Sequence, residues 1–116
     1  SYFLPRLVGA SLAAELLLTG NFLPAERALA SGLVSQVVEH DALLDAGLAL
    51  AQDMLATSPM GLRLTKDALN RNIDAPGFEA ALALEDRQQV MLGQTEDFRE
   101  ATRAFAEKRA PEYRDR

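Results

Sequence analysis

An aromatic residue and two cations lie close together near the end of the chain. Phe105 precedes Lys108 and Arg109 by about one helical turn, within residues 95–111, which we expect to be helical. An aromatic ring can pack against a flat heteroaromatic ring, and a lysine can pair with a phosphate. This is the chemistry that binds a nucleotide-bearing ligand. The structural alternative is a surface helix whose cations interact favourably with the negative end of its own dipole.

The other chemically active residue types do not assemble an active site. Glu15 lies among apolar residues, where a carboxylate can act as a general acid or base, but Glu is also favoured in a first helical turn. Glu85 and Asp86 are adjacent, so on a helix they point about 100° apart. His40 is the single histidine and cysteine is absent, which argues against a His-based metal site and a Ser-His-Asp triad. We therefore assign no catalytic residue and no metal ligand.

Composition restricts the class of protein. The chain has 116 residues, of which 48% are hydrophobic and 25% are charged, as expected for one soluble domain with a modest core. The net charge of −5 argues against nucleic-acid binding. No apolar run approaches the roughly 20 residues of a membrane span. The absence of cysteine suits a reducing compartment, so we expect a cytoplasmic protein and leave a mitochondrial matrix origin open.

Turn and cap signals predict a mainly α-helical chain with one short strand. The strand is predicted over residues 34–38, which are rich in β-branched residues and too short for a helix. Gly20 and Pro111 are expected to end the first and the last helix. The predicted helix-capping side chains are those of Ser11, Asp41, Ser58 and Thr95. Because several helices are short, packing against a neighbouring domain or subunit must hold them.

Two of the predicted helices carry apolar stripes. The helix over residues 78–94 is expected to face inward with Phe78, Ala81, Leu82 and Leu92. Glu85 and Gln88 lie close to the same face, where burial would demand polar partners from another helix or subunit. The alternative is a stripe that rotates toward solvent. The last helix has an apolar stripe of Phe98, Ala101 and Phe105.

An ordered set of short phrases covers nearly the whole chain. The phrases are LPRLVG (4–9), ELLLTG (15–20), GLVSQVV (32–38), Ser58-Pro59 with Lys66, Glu85 with Gln89, TEDFRE (95–100) and AFAEKR (104–109). In this order and spacing they resemble the C-terminal part of the enoyl-CoA hydratase/isomerase (crotonase) family. One departure is that Ser1-Tyr2-Phe3 stands where the best-known hydratases have Thr-Gln-Arg.

The resemblance implies the C-terminal helical part of a crotonase-like (ClpP/crotonase) fold, whose spiral β-core is absent from this chain. Residues 1–38 would be the end of that core, linking into helices and the short strand at 34–38. Residues 39–116 would be the helical region that covers CoA and builds the oligomer. The chain lacks an initiator methionine, and we expect a fragment completed by an N-terminal portion of the same enzyme.

The resemblance also implies a function on acyl-CoA thioesters, with CoA as part of the substrate and no separate cofactor. Family members place an aromatic residue and a lysine of the last helix against the adenine and 3′-phosphate of CoA, and Phe105 and Lys108 match these positions. Hydration of 2-enoyl-CoA is the expected reaction of the parent protein, in which the upstream core supplies the oxyanion hole. The alternatives are an isomerase, a hydrolase or a non-catalytic oligomerisation module. A trimer or a dimer of trimers is expected, and this chain alone is expected to be inactive.

Overall fold

The computed structural model describes all 116 residues, which form seven α-helices and one short 3-10 turn at His40–Ala42. The helices are α1 (Phe3–Val8), α2 (Ala10–Thr19), α3 (Ala25–Ala30), α4 (Leu43–Met54), α5 (Pro59–Asn72), α6 (Phe78–Gly93) and α7 (Glu96–Glu107). The chain divides into two compact units, residues 1–46 and 47–116. None of the helices combines the length and the apolar composition that crossing a membrane requires.

The strand predicted over residues 34–38 does not form, and that prediction was wrong. The backbone at the start of this segment bonds instead to α3, since the N–H groups of Leu33 and Val34 both donate to the Ala28 carbonyl, at 3.0 and 3.4 Å. A strand needs a second strand to complete its hydrogen-bond ladder. No other segment of the chain supplies one, so the β-propensity of the valines has no partner to act on.

In the first unit, α1 packs against α2, and two glycines set the limits of α2. Gly20 ends it in the left-handed conformation (φ 68°), with its N–H donating to the Leu16 carbonyl, as predicted. The predicted Ser11 cap was wrong, because α2 already begins at Ala10 after Gly9, with no side-chain cap. The predicted Asp41 cap was wrong as well, since Asp41 lies inside the 3-10 turn that precedes α4.

In the second unit, both predicted caps are confirmed. The Ser58 hydroxyl accepts from the N–H of Gly61 at the start of α5, and the Thr95 hydroxyl accepts from the N–H of Phe98 at the start of α7, each at 3.1 Å. A side chain at Gly61 would disturb this cap, because a Cβ there would lie 2.9 Å from the Ser58 Oγ and the hydroxyl would have to shift. The cap and the glycine therefore form one local unit.

Two polar residues of α6 form hydrogen bonds to α5. The buried Gln88 donates through Nε2 to Asp67 at 3.1 Å, and Glu85 accepts from Asn72 at 2.9 Å. Asp67 also pairs with Arg71 at 2.8 Å along its own helix. Another helix therefore supplies the partner that the buried Gln88 requires, whereas Glu85 is exposed, in line with the alternative that the stripe rotates toward solvent.

The chain buries very little apolar surface of its own. The buried apolar residues are all alanines, namely Ala13, Ala28 and Ala104, and no large side chain is fully buried. The accessible surface is 9177 Å², against about 6,200 Å² for a folded monomer of this mass. The prediction that Phe78 and Leu82 face inward was wrong, since they are 79% and 44% exposed. These stripes lack a covering surface within this chain.

Candidate functional site

Helix α7 ends earlier than predicted, and its end sets the conformation of the candidate site. The last helical residue is Glu107, and Lys108 adopts the left-handed conformation (φ 53°, ψ 42°). The N–H of Lys108 donates to the Phe105 carbonyl at 3.2 Å, and the N–H of Arg109 donates to the Ala104 carbonyl at 3.0 Å. This is a Schellman-type helix end. The prediction that Pro111 stops the helix was therefore wrong.

The two residues matched to CoA binding are both exposed at this helix end. Phe105 is 88% exposed, and Lys108 is also on the surface. Lys108 forms none of the ion pairs within the chain. Phe105 lies in the last turn of α7, whereas Lys108 lies in the turn that follows the helix. The two residues therefore do not share one continuous helical face. An exposed ring and an unpaired ammonium at the same helix end are chemically able to contact a heteroaromatic base and a phosphate.

Arg109 differs from its neighbour because carboxylates already neutralise it. Its Nη1 and Nη2 lie 2.5 and 3.1 Å from the two oxygens of Glu100, and its Nε lies 2.6 Å from Glu107. The two-point contact with Glu100 is the strong, directional form of an arginine–carboxylate pair. Of the two cations in the predicted cluster, only Lys108 is left available for a ligand phosphate.

The same pair determines the titration of Glu100. The Arg109 guanidinium, helped by the N–H of Glu112 at 3.1 Å, lowers the pKa of the Glu100 carboxyl from 4.5 to about 2. The pairing also raises the pKa of Arg109. Glu100 therefore remains charged at any physiological pH.

This shift gives a prediction for the dependence of stability on pH. A carboxyl with a lowered folded-state pKa stabilises fully above its ordinary value and loses that contribution as the pH falls through the lowered value. We expect the Glu100 contribution to be complete above pH 4.5 and lost toward about pH 2. Carboxyl-carbon NMR should show a midpoint near 2, and Arg109→Gln should move it toward 4.5. A midpoint near 4.5 before substitution would contradict the pairing.

The residues after the helix return across its first turn, and we call residues 110–116 the C-terminal strap. Asp97 is only 2% exposed, and its two carboxylate oxygens accept the N–H groups of Arg114 at 2.8 Å and Asp115 at 2.9 Å. The N–H of Asp97 donates to the Arg116 carbonyl at 3.0 Å. Asp115 also forms a two-point pair with Arg63 of α5, at 2.6 and 3.1 Å.

A cleft of about 640 Å³ lies between α7 and the strap, and the predicted site residues do not line it. Its lining residues are Glu96, Asp97, Arg99, Glu100, Arg103, Arg109, Ala110, Glu112 and Arg114. Four arginines and four carboxylates balance one another there, so the cleft offers no net positive charge to an anion. Phe105 and Lys108 lie outside it.

The other candidate for acid–base chemistry is a structural residue. Glu15 forms a two-point pair with Arg27, with both distances at 2.7 Å, and this pairing lowers the pKa of its carboxyl. A carboxylate that is paired and more acidic than usual is a poor general acid or base near neutral pH. No group of three or more His, Asp or Glu side chains is arranged to hold a metal ion.

Sequence comparison gives the same family over the full chain. The family model described as enoyl-CoA hydratase/isomerase matches residues 1–116. The Mycobacterium tuberculosis protein named "Probable enoyl-CoA hydratase EchA12" is 43% identical over 99% of this chain and 41% of its own length. The 2,3-dehydroadipyl-CoA hydratase and the 1,2-epoxyphenylacetyl-CoA isomerase of Escherichia coli are 38% and 35% identical over 96% and 97% of this chain.

Solved structures similar to this chain belong to the same family. The enoyl-CoA hydratase of Bacillus anthracis matches with a TM-score of 0.93 and 32% identity, over 99% of this chain and 44% of that protein. A protein of Mycobacterium abscessus described as a "probable enoyl-CoA hydratase/isomerase" matches with a TM-score of 0.88 and 36% identity, over 99% of this chain and 45% of that protein. The chain thus spans about two fifths of the length of the curated relatives it matches. It belongs to the enoyl-CoA hydratase/isomerase family, and its helices have the architecture of part of a crotonase fold.

Proposed function

We propose that this chain is the C-terminal, CoA-covering segment of a longer enzyme that adds water across the double bond of a 2-enoyl-CoA thioester. The thioester enolate would be stabilised by an oxyanion hole in the preceding portion of the same enzyme. The observation that carries the proposal is that the exposed Phe105 and the unpaired Lys108 lie three residues apart at the end of α7. The names of the relatives support it, since two of the three compared above are hydratases.

In this proposal Phe105 packs against the adenine ring of CoA and Lys108 pairs with its 3′-phosphate. Stacking of a base on an aromatic side chain contributes about 1–3 kcal/mol in nucleic-acid systems. The ring gains this contact without first giving up another, because it is 88% exposed. In this proposal CoA is part of the substrate, and the reaction takes place in the preceding portion of the enzyme.

The proposal includes an oligomer, a trimer or a dimer of trimers, that works in the cytoplasm. The exposed apolar stripes of α6 need a covering surface, and a preceding β-core together with neighbouring subunits would supply it. The Phe105 and Lys108 half-site would then serve CoA held largely by another subunit.

Two other functions fit parts of the same observations. A different reaction on acyl-CoA is favoured by the isomerase among the relatives, and product analysis separates isomerisation or hydrolysis from hydration. A non-catalytic oligomerisation module is favoured by the large exposed apolar surface. An oligomer of the longer protein that does not turn over any acyl-CoA would establish that alternative.

Lys108→Ala tests the half-site in the longer protein. Because the lysine is proposed to contact only the 3′-phosphate, we expect the KM for acyl-CoA to rise about tenfold. The KM for the same acyl group on 3′-dephospho-CoA and both kcat values should stay unchanged. Lys66→Ala, which removes the other lysine of the chain, is the matched control and should change neither KM. An equal loss for both esters would exclude the phosphate contact.

A further inference from the structure

We propose that Glu100 and Arg109 are a positioning pair, which holds Lys108 in its left-handed turn beside Phe105 and thereby sets how strongly the protein binds the 3′-phosphate of CoA. The inference rests on the proposed function. It adds a residue of α7 that touches neither the base nor the phosphate but determines where the contacting cation lies.

The conformation of Lys108 is held partly by the two helix-end hydrogen bonds of Lys108 and Arg109, and partly by contacts that follow the helix end. A φ of 53° is unfavourable for a residue with a side chain, because Cβ then approaches the carbonyl oxygen. Such conformations persist where the surrounding structure fixes them, and they are frequent at binding sites. Without support, the chain after Glu107 has other backbone conformations available, and they would point the ammonium elsewhere.

Glu100 supplies this support on the C-terminal side of Lys108, at two points. Its carboxylate binds the guanidinium of Arg109, the residue that follows Lys108, and accepts the N–H of Glu112 at 3.1 Å. The side chain of Glu100 is only 17% exposed, so the helix surroundings restrict it. Arg109 is held further by its Nη1 donating to the Ala110 carbonyl at 3.0 Å. The turn at Lys108 is therefore tied back to the middle of α7.

The Glu100–Arg109 pair also neutralises one of two adjacent cations and leaves the other unpaired. Arg109 faces Glu100 and Glu107, whereas Lys108 has no ion-pair partner. A phosphate that approaches the helix end therefore meets one unpaired ammonium, that of Lys108. If Arg109 were released, a second and more mobile cation would compete with Lys108 for the same phosphate.

Glu100→Gln in the longer protein tests the proposal, because it keeps the size of the side chain and removes its charge. We expect the KM for acyl-CoA to rise about threefold, with kcat and the KM for the 3′-dephospho ester unchanged. In a Lys108→Ala background the same change should have no further effect, since Glu100 acts through Lys108. A merely structural role would alter the KM for both esters and would add to the effect of Lys108→Ala.

Two further variants keep the test decisive if Glu100→Gln folds poorly. Arg109→Lys retains the charge but cannot form the planar two-point contact, so it should reproduce the selective rise in KM. Glu15→Gln breaks the equivalent two-point pair with Arg27 in the first unit, and should leave the ratio of the two KM values unchanged.

The outcomes separate this inference from the proposed function. If Lys108→Ala discriminates between the two esters but Glu100→Gln and Arg109→Lys do not, the positioning role is overturned and the half-site stands. If Glu100→Gln binds acyl-CoA more tightly, Arg109 has turned to the phosphate, which also overturns the role. If Lys108→Ala itself fails to discriminate, the half-site is overturned, and the positioning role with it.

Discussion

The isolated 116-residue chain is expected to hydrate 2-enoyl-CoA no faster than buffer, at least about 10⁶-fold more slowly than the longer enzyme we propose. We expect this because the carboxylate considered above for acid–base chemistry, Glu15, is paired with Arg27. The cleft beside α7 contains mutually neutralised charges. The loss of absorbance from the conjugated thioester, followed with and without the chain, measures the rate.

Addition of the separately produced preceding portion of the enzyme is the matching positive control. It should restore turnover if the two pieces associate through the exposed apolar stripes of this chain. A Lys108→Ala chain should restore the same kcat at saturating substrate, since Lys108 is proposed to act in binding alone. Turnover by the isolated chain, abolished by a substitution within it, would show that it contains catalytic residues and would contradict the proposal.

The sequence was most informative where the determining interaction is local. The Ser58 and Thr95 caps and the Gly20 helix end each depend on bonds to residues within four positions. Such contacts follow from residue type and spacing alone. Ser11 and Asp41 belong to residue types that often cap helices, but they were assigned wrongly because the helices begin at other residues.

Burial could not be predicted in the same way, because it depends on surfaces outside this chain. Phe78 lies on a periodic apolar stripe, yet it is 79% exposed. Residues 34–38 have strand-forming composition and no strand to pair with. Periodicity identifies which face of an element is apolar, whereas the neighbour that covers it belongs to the tertiary or quaternary structure.

The candidate site was predictable only in part, for a related reason. Phe105 and Lys108 were identified from their types, their spacing and the family resemblance. The support for Lys108 was not, because Glu100 and Arg109 are nine positions apart and meet only through the turn. The contact of the strap with α5 was harder still to predict, since Asp115 pairs with Arg63, which is far away in the sequence. No local pattern in the sequence signals a chain that folds back on its own helix.

Asp97→Ala is expected to release the strap and to cost about 3 kcal/mol of local stability, because it leaves two backbone N–H groups without their charged acceptor. Hydrogen exchange at the amides of Arg114 and Asp115 should then accelerate about 100-fold in the longer protein. Asp97→Asn should have a smaller effect, since its one carbonyl oxygen can still accept while its NH₂ group cannot.

Glu96→Ala is the matched control, because Glu96 and Asp97 both lie in the first turn of α7 and interact alike with the helix dipole. Only Asp97 is buried and bonded to the strap, so Glu96→Ala should leave the exchange of both amides nearly unchanged. If both substitutions accelerated exchange equally, charge at the helix N-terminus would explain the effect. A selective effect of Asp97 would instead establish that the first turn of α7 is the anchor of the strap.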